Sequence, residues 1–385
     1  MIYLDNSATT KTDKRVLDAI NAFNENYYAN PSAIHRFGYL VEEEVKKATA
    51  YVAKVLGVND NELIWTSGGT ESNNLAIYGY ANAYKKRGNG IITTKFEHPS
   101  VLRVCERLSE DGFNVSYLSV DSSGHIDLDE LKDKIDDNTI LVSIMHTNNE
   151  IGAIQKISDI GALIKEKNKD TAFHVDFVQG FGKAQINCKK QNIDFLSISS
   201  HKIHGPKGVG ILYKNKNFRI VPSLLGGGQQ NGLRSGTLNT FGIIGTATAT
   251  SISYDNIDEE CGKLLRIRDY LINRLEELAN KYNNIYINTK MDDNFAPHIV
   301  SVSFKGIRSE VLVHSLEEKD IYVSAGSACS SHSKKESDTL KAIGLGSDII
   351  DSTIRISIGR FNELNDIDIL LSELDKLIPV LRIKR

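Results

Sequence analysis

The sequence predicts an α/β protein in which a mostly parallel sheet is covered by helices and followed by a smaller α+β domain. Three observations carry this. Short apolar runs alternate with amphipathic segments from about residue 60 to 215, the pattern of strand–helix–strand units. Several of these runs end in a turn bearing a chemically able side chain, at the place where open α/β sheets hold ligands. After about residue 255 the alternation stops, and long helical patterns flank one strand-like run, Ile299 to Phe304.

Taken in order, Val16, Leu17, Ile20 and Phe23 share one helix face, with Thr12 or Asp13 as its cap. Phe37, Leu40, Val41, Val45, Ala48, Val52 and Leu56 form a second face, which Gly57 ends. Strands are expected at 63–66, 90–94, 141–145, 172–175 and 195–199. Between them lie helices marked by Leu128, Leu131 and Ile135, then by Ile160, Leu163 and Ile164. A charged helix over 258–280 and a final helix holding Ile367, Leu370, Leu371, Leu374 and Leu377 complete the pattern. The expected division is a large domain over 15–255, with 1–14 and 256–385 forming the small one. The polar stretch 330–338 reads as a mobile loop. No internal repeat and no low-complexity tract interrupts the chain.

Composition narrows the function. With 385 residues, 41% hydrophobic and 25% charged, the chain has room for large cores in two or three domains. A formal net charge of -3 offers no basic field, which argues against nucleic acid as the main ligand. No apolar run approaches the ~18 residues of a membrane span and no signal peptide stands out, so a cytoplasmic location is expected. Cys105, Cys188, Cys261 and Cys329 lie far apart with no CxxC pair. That spacing favours reduced thiols over a zinc site or a disulfide framework.

The chemistry centres on Lys202, placed after an apolar run and before a Gly/Pro-rich turn. An amine delivered there can hold a carbonyl cofactor as a Schiff base, whereas most lysines are solvated surface charges. Its company decides between these readings. A pyridoxal phosphate site needs a lysine, an anion cup, a carboxylate for the pyridinium nitrogen and a group against the ring face. The run 66–73, which holds Gly69 and Thr70, is a glycine turn opening a helix. Its amides suit a phosphate, and equally suit plain turn and cap chemistry. Asp176 ends a buried run and must be paired there, by a pyridinium nitrogen or as a helix cap. Gln179 follows within reach of a ring hydroxyl. His98, before a proline, can stack on a ring and move protons, or be an ordinary loop residue. Asn149 ends another strand and is placed to meet a substrate or cofactor oxygen. His201 and His204 flank the lysine, but two histidines without a third ligand make a poor metal site. Arg355 alternates with apolar residues and needs an anion if it points inward, such as a substrate carboxylate, or lies on an edge. Cys329 sits among tiny side chains at the head of the polar loop, which suits an accessible nucleophilic thiol. Cys105, Cys188 and Cys261 read as core residues.

These motifs resemble the NifS/IscS-like cysteine desulfurases, pyridoxal phosphate enzymes of the fold-type I aminotransferase class. The likeness runs from Tyr3-Leu4-Asp5-Asn6-Ser7-Ala8-Thr9-Thr10 through Asn30-Pro31-Ser32 to Arg355-Ile356-Ser357-Ile358-Gly359-Arg360. It implies pyridoxal 5'-phosphate on Lys202, with Asp176 on the ring nitrogen, Gln179 at the ring hydroxyl and His98 on the ring face. Gly69 belongs to the phosphate turn, and Thr70, Ser199 and His201 would hold the phosphate. Asn149 and Arg355 would bind the substrate carboxylate, and Cys329 would accept sulfur as a persulfide. The segment from Gly226 to Thr237 resembles the one that lends a threonine, here Thr237, to the neighbouring subunit's phosphate, which implies a homodimer. The run Ala325-Gly326-Ser327-Ala328-Cys329 resembles the long-loop branch. Gln230-Asn231 departs from the family, which commonly has Glu at the first position, and 331–335 is unusually polar and basic.

The implied reaction is release of sulfur from L-cysteine, giving L-alanine, with transfer to an acceptor protein. An iron–sulfur scaffold, a tRNA-thiolation protein and a cofactor-biosynthesis enzyme all qualify as that acceptor. A selenocysteine or cysteine sulfinate lyase would share every cofactor residue and need Cys329 less. A plain aminotransferase has no use for the cysteine, and a non-catalytic assembly subunit has no use for Lys202, Asp176 and His98 together.

Overall fold

The computed structural model describes residues 1–326 and 336–382. The chain opens with a two-residue strand, β1 (Ile2–Tyr3). It then builds a seven-stranded sheet from β2 (Leu63–Thr66), β3 (Gly90–Thr94), β4 (Asn114–Leu118), β5 (Thr139–Met145), β6 (Ala172–Asp176), β7 (Phe195–Ser199) and β8 (Gly210–Lys214). Their order is β2-β8-β7-β6-β5-β3-β4. β3 to β7 pair in parallel, and β8 runs antiparallel to both of its neighbours, β2 and β7. The expected strands all form. Sequence periodicity missed β4, a half-buried edge strand, and β8, which rises straight out of the glycine-rich turn after Lys202.

Burial on both faces explains the unbroken apolar character of the inner strands. Successive residues point to opposite sides. Ile92, Val142, Phe173, Leu196 and Ile211 join one core cluster, while Ile91, Leu141, Ala172, Phe195 and Leu212 join another. The helix Arg36–Leu56 lays Val45, Ala48, Val52 and Leu56 onto the first cluster. It ends at Gly57 with φ 68°, a left-handed conformation that glycine adopts without cost. The helix Gly69–Tyr84 gives Leu75, Ile77 and Tyr80 to the other face. Asp13, of the two candidate caps, is the one used: it accepts from the Arg15 N–H at 2.9 Å.

A second sheet holds β9 (Ile285–Ile287), β10 (Ile299–Phe304), β12 (Ser324–Ala325) and β13 (Thr353–Ser357), antiparallel in the order β12-β13-β10-β9. β11 (Ile321–Tyr322) pairs in parallel with β1. The helices Ile257–Tyr282, Ser309–Glu317 and Leu364–Leu381 cover this sheet with Leu271, Leu312 and Leu374. Leu4 belongs to the same cluster. The polar stretch 330–338 lies mostly outside the described residues; at its end Ser337 caps a short helix that begins at Asp338. Positions 327–335, including Cys329, lie outside the described residues.

Gln230 has a definite task. Its side-chain oxygen accepts from the Trp65 N–H at 2.7 Å, and its amide donates to the Trp65 carbonyl at 2.9 Å. It thereby satisfies the open edge of β2. A glutamate could accept from Trp65 but could not donate back, so the departure at 230 is matched to this contact. No helix among the described residues is long and apolar enough to cross a membrane.

Candidate active site

The parallel strands deliver their C-terminal ends to one edge of the sheet, and the turns that follow carry the chemistry. Thr66 and Ser199 both pair with Gly210, while Met145 and Ser197 flank Asp176. A β-carbon on Gly210 would lie 2.5 Å from the Gly68 backbone, so only glycine lets the turn after β2 sit there. Around this edge is a cavity of about 350 Å³. Gly69, Thr70, His98, Asn149, Asp176, Gln179, Ser199, His201, Lys202 and Arg355 all line it. Thr237 does not; it is exposed on a separate loop.

Lys202 closes a short 3₁₀ turn, Ser200–Lys202, directly after β7. Its ammonium donates to the Ala8 carbonyl at 2.7 Å and to that of Ser7, and its own carbonyl accepts from Lys183 Nζ at 2.9 Å. Asp176, only 6% exposed, ends β6. Its carboxylate accepts from the Val178 N–H at 3.0 Å and from Asn73 Nδ2 at 2.8 Å. Asn73 also donates to Ser100 Oγ at 2.8 Å.

His98 caps the helix Pro99–Glu110, its Nδ1 accepting from the Ser100 N–H at 3.1 Å and lying 2.7 Å from Ser100 Oγ. With Nδ1 an acceptor, the neutral ring carries its proton on Nε2. Burial lowers the His98 pKa below the ordinary histidine value; Asp176 opposes this and Lys202 adds to it. His98, Ser100, Asn73 and Asp176 thus form one hydrogen-bonded chain.

The turn after β2 opens the helix Gly69–Tyr84, whose first-turn amides have no acceptor within the helix and whose dipole is positive there. A β-carbon on Gly68 would meet nothing closer than Ser199 Oγ at 3.9 Å. His201 joins this side through Thr9 Oγ1, 3.1 Å from its Nδ1. Burial and then the charges of Lys202, Lys207 and Lys183 push the His201 pKa down to about 4, so its ring is neutral at pH 7. Gln179 donates to the Ser7 carbonyl at 3.0 Å. Arg355, from β13, donates to the Asn149 carbonyl at 2.9 Å and to Asp5 Oδ1 at 2.7 Å.

Sequence reasoning missed several members of this site. Asn73 lies three residues beyond Thr70 on the same helix, a spacing that puts both on one face. Ser100 follows His98 at a distance typical of caps. The Ser7 and Ala8 carbonyls could not be found that way, since a backbone acceptor leaves no mark in the sequence. Cys105 and Cys188 are buried as expected, but Cys261 is only half-buried, its thiol donating to the Lys183 carbonyl at 3.2 Å.

Glu97, beside His98, is 4% exposed. One oxygen accepts from the Met145 N–H at 2.8 Å and from Thr94 Oγ1 at 3.0 Å, and the other has no partner among the described residues. Burial, with the Asp176 charge as a lesser cause, pushes its carboxyl up to about 8. The folded chain therefore holds this proton where the unfolded chain, with a carboxyl near ~4.3, has lost it. The associated stability is full below about pH 4 and falls as pH rises to about 8, by on the order of 5 kcal/mol. Glu97→Gln is expected to match wild type at pH 4.5 and to unfold several degrees higher at pH 8. Parallel melting-temperature profiles across that range would rule out a buried neutral acid.

The aminotransferase class-V family model matches residues 2–370. A curated cysteine desulfurase IscS of Rickettsia prowazekii is 41% identical over 98% of this chain and 92% of its own length. The chain belongs to this family. Within it the chain stands with the NifS/IscS-like cysteine desulfurases. Among solved structures, a NifS-like protein superposes with a TM-score of 0.92 at 39% identity, covering 99% of this chain and 100% of its own. A structure titled as SspA in complex with cysteine gives a TM-score of 0.80 at 34% identity, over 94% of this chain and 100% of that one.

Proposed function

We propose that this protein is a cysteine desulfurase that uses pyridoxal 5'-phosphate to convert L-cysteine to L-alanine, passing the sulfur to Cys329. The observation that carries this reading is the convergence of Lys202, Asp176, His98 and Arg355 on one cavity, in a chain whose full-length relatives are named cysteine desulfurases.

The residues present fit the cofactor. Lys202 supplies the amine, and the first turn of the helix Gly69–Tyr84, with Thr70, Ser199 and His201, supplies the anion cup. Asp176 is buried with two donors already on its carboxylate, an arrangement that suits it to a protonated ring nitrogen. Gln179 would meet the ring hydroxyl and His98 the ring face. When bound, the cofactor supplies a sink for the electrons left at the substrate's α-carbon.

The chain's own groups do the rest. Arg355 and Asn149 seat the substrate carboxylate, and Lys202 Nζ takes the α-proton. His98 is the group placed to exchange a proton with a thiol, through Nε2, the ring nitrogen that Ser100 leaves open. The Cys329 thiolate bonds to the substrate sulfur as the substrate's Cβ–Sγ bond breaks. That electron pair goes to the substrate, which gains a proton to become alanine and leaves Cys329 as a persulfide.

Exposed Thr237 is offered to a neighbouring subunit's phosphate, so the working unit is a homodimer. Two domains, 15–255 and 1–14 with 256–385, are supported by the separate clusters around the two sheets and by Leu4 lying with the second. The sulfur then passes to an acceptor protein, either an iron–sulfur scaffold or a tRNA-thiolation protein, in a cytoplasmic setting.

The test is to supply L-cysteine and a thiol reductant to the cofactor-loaded enzyme and measure both products. Alanine and sulfide in equal amounts are expected. Cys329→Ser is expected to lose persulfide formation and most sulfide release while keeping the cofactor's absorbance. Wild-type turnover by that variant would remove Cys329 from the mechanism, and absence of alanine from the wild type would remove L-cysteine as substrate.

A further inference from the structure

Arg355 does not wait for a substrate with its hydrogen-bonding groups open. It is 6% exposed, and its guanidinium meets Asn149 O through NH1 at 2.9 Å and Asp5 Oδ1 through NH2 at 2.7 Å. Its third nitrogen, Nε, is buried with no acceptor among the described residues. A guanidinium binds a carboxylate best with two parallel N–H donors. Asp5 takes one of the available donors and leaves another unsatisfied, so the carboxylate seat is half-filled by a residue of the chain itself.

Two further observations make Asp5 an exchangeable occupant. Its side chain is 21% exposed against 8% for Arg355, and both line the cavity. The carboxylate therefore turns to water more readily than the guanidinium does. The Asp5 backbone, by contrast, is held fast. Its neighbours exchange hydrogen bonds with β13, Asn6 N to Ser357 O at 3.2 Å and Ser357 N to Leu4 O at 2.7 Å. Tyr3 Oη also donates to the Asp5 carbonyl at 3.1 Å. A carboxyl group tethered this way competes at a high effective concentration that dilution cannot lower.

We propose that Asp5 is a tethered competitor for the substrate's α-carboxylate at Arg355, and that it sets the enzyme's affinity and selectivity for amino acids. This rests on the reading of Arg355 as the carboxylate seat. A substrate carboxylate displaces Asp5, gains the vacant Nε donor and sends the Asp5 carboxylate to water. Small carboxylates whose only anchor is Arg355 pay the full cost of this exchange and are excluded. An amino acid recovers it through its other contacts in the cavity.

The experiment compares cofactor-loaded wild type, Asp5→Asn, Asp5→Ala and Arg355→Ala. It measures kcat and KM for L-cysteine and the inhibition constant of propionate, with cofactor absorbance as the check that each site is formed. Both Asp5 variants are expected to lower KM and the propionate constant about tenfold, the equivalent of roughly one charge-assisted hydrogen bond, with a smaller change in kcat. Two variants keep the test valid if one fails to fold. A raised KM in both would show that Asp5 orients Arg355 instead of competing for it, and unchanged constants would show no competition; either overturns the proposal. Arg355→Ala is expected to raise both constants. If it leaves them unchanged while the Asp5 variants act, the seat itself is wrongly assigned.

Discussion

Lys202→Ala is expected to abolish alanine and sulfide release from L-cysteine, by on the order of 10⁴-fold or more, the scale seen when a covalent catalytic group is removed. The reason is positional. The 3₁₀ turn after β7 sets the amine at the sheet edge, beside the carboxylate of Asp176 and the ring of His98. Among the described residues that line the cavity, Lys202 is the only lysine. Lys183 is close, but its ammonium is committed to the Lys202 carbonyl at 2.9 Å. Stability is expected to change little, since the two carbonyls that Lys202 now holds, on Ser7 and Ala8, are on a segment open to the cavity. Product assay alongside thermal unfolding separates the two effects. Residual turnover within tenfold of wild type would exclude Lys202 as the covalent anchor.

Asp176→Asn is the second large effect, an expected loss of about 10²–10³-fold in kcat with the substitution nearly isosteric. Both carboxylate oxygens accept now, from Val178 N–H and Asn73 Nδ2. An asparagine must turn its own N–H₂ toward one of those donors, which opposes two donors in a buried place. That conflict costs about 1–3 kcal/mol in stability. It also frees Asn73, and through it Ser100 and the Nδ1 side of His98. Loss of the negative charge removes the partner proposed for the ring nitrogen. Two readouts test this: kcat, and the pH dependence of the bound cofactor's absorbance, which a purely structural role would leave in place. A kcat within threefold of wild type would show that the charge at 176 is not used.

The order in which residues became legible follows the range of the forces that place them. Lys202, Asp176, His98 and the Gly69–Thr70 turn were visible because each ends an apolar run, and strand ends in a parallel sheet share one edge. Asn149 and Arg355 were visible as polar groups in or after buried runs, though Arg355 could equally have faced water. β4 and β8 were not. The first is an edge strand with mixed polarity, and the second emerges from a glycine-rich turn without the helix that marks a parallel crossover. The Asn73 bridge lay inside a recognised motif, unread because its two partners come from separate turns.

What the sequence by itself determined was the alternation of strands and helices, the apolar faces and the turns that carry the reactive side chains, all local periodicities of 2 and 3.6 residues. Only the tertiary structure decided which groups meet. Asp5 on Arg355, the Ser7 and Ala8 carbonyls on Lys202, and Gln230 on Trp65 join residues 350, 195, 194 and 165 positions apart. No periodicity spans such separations. These contacts exist because the N-terminal segment is drawn to β13 and because buried polar groups must find partners wherever the packed chain places them.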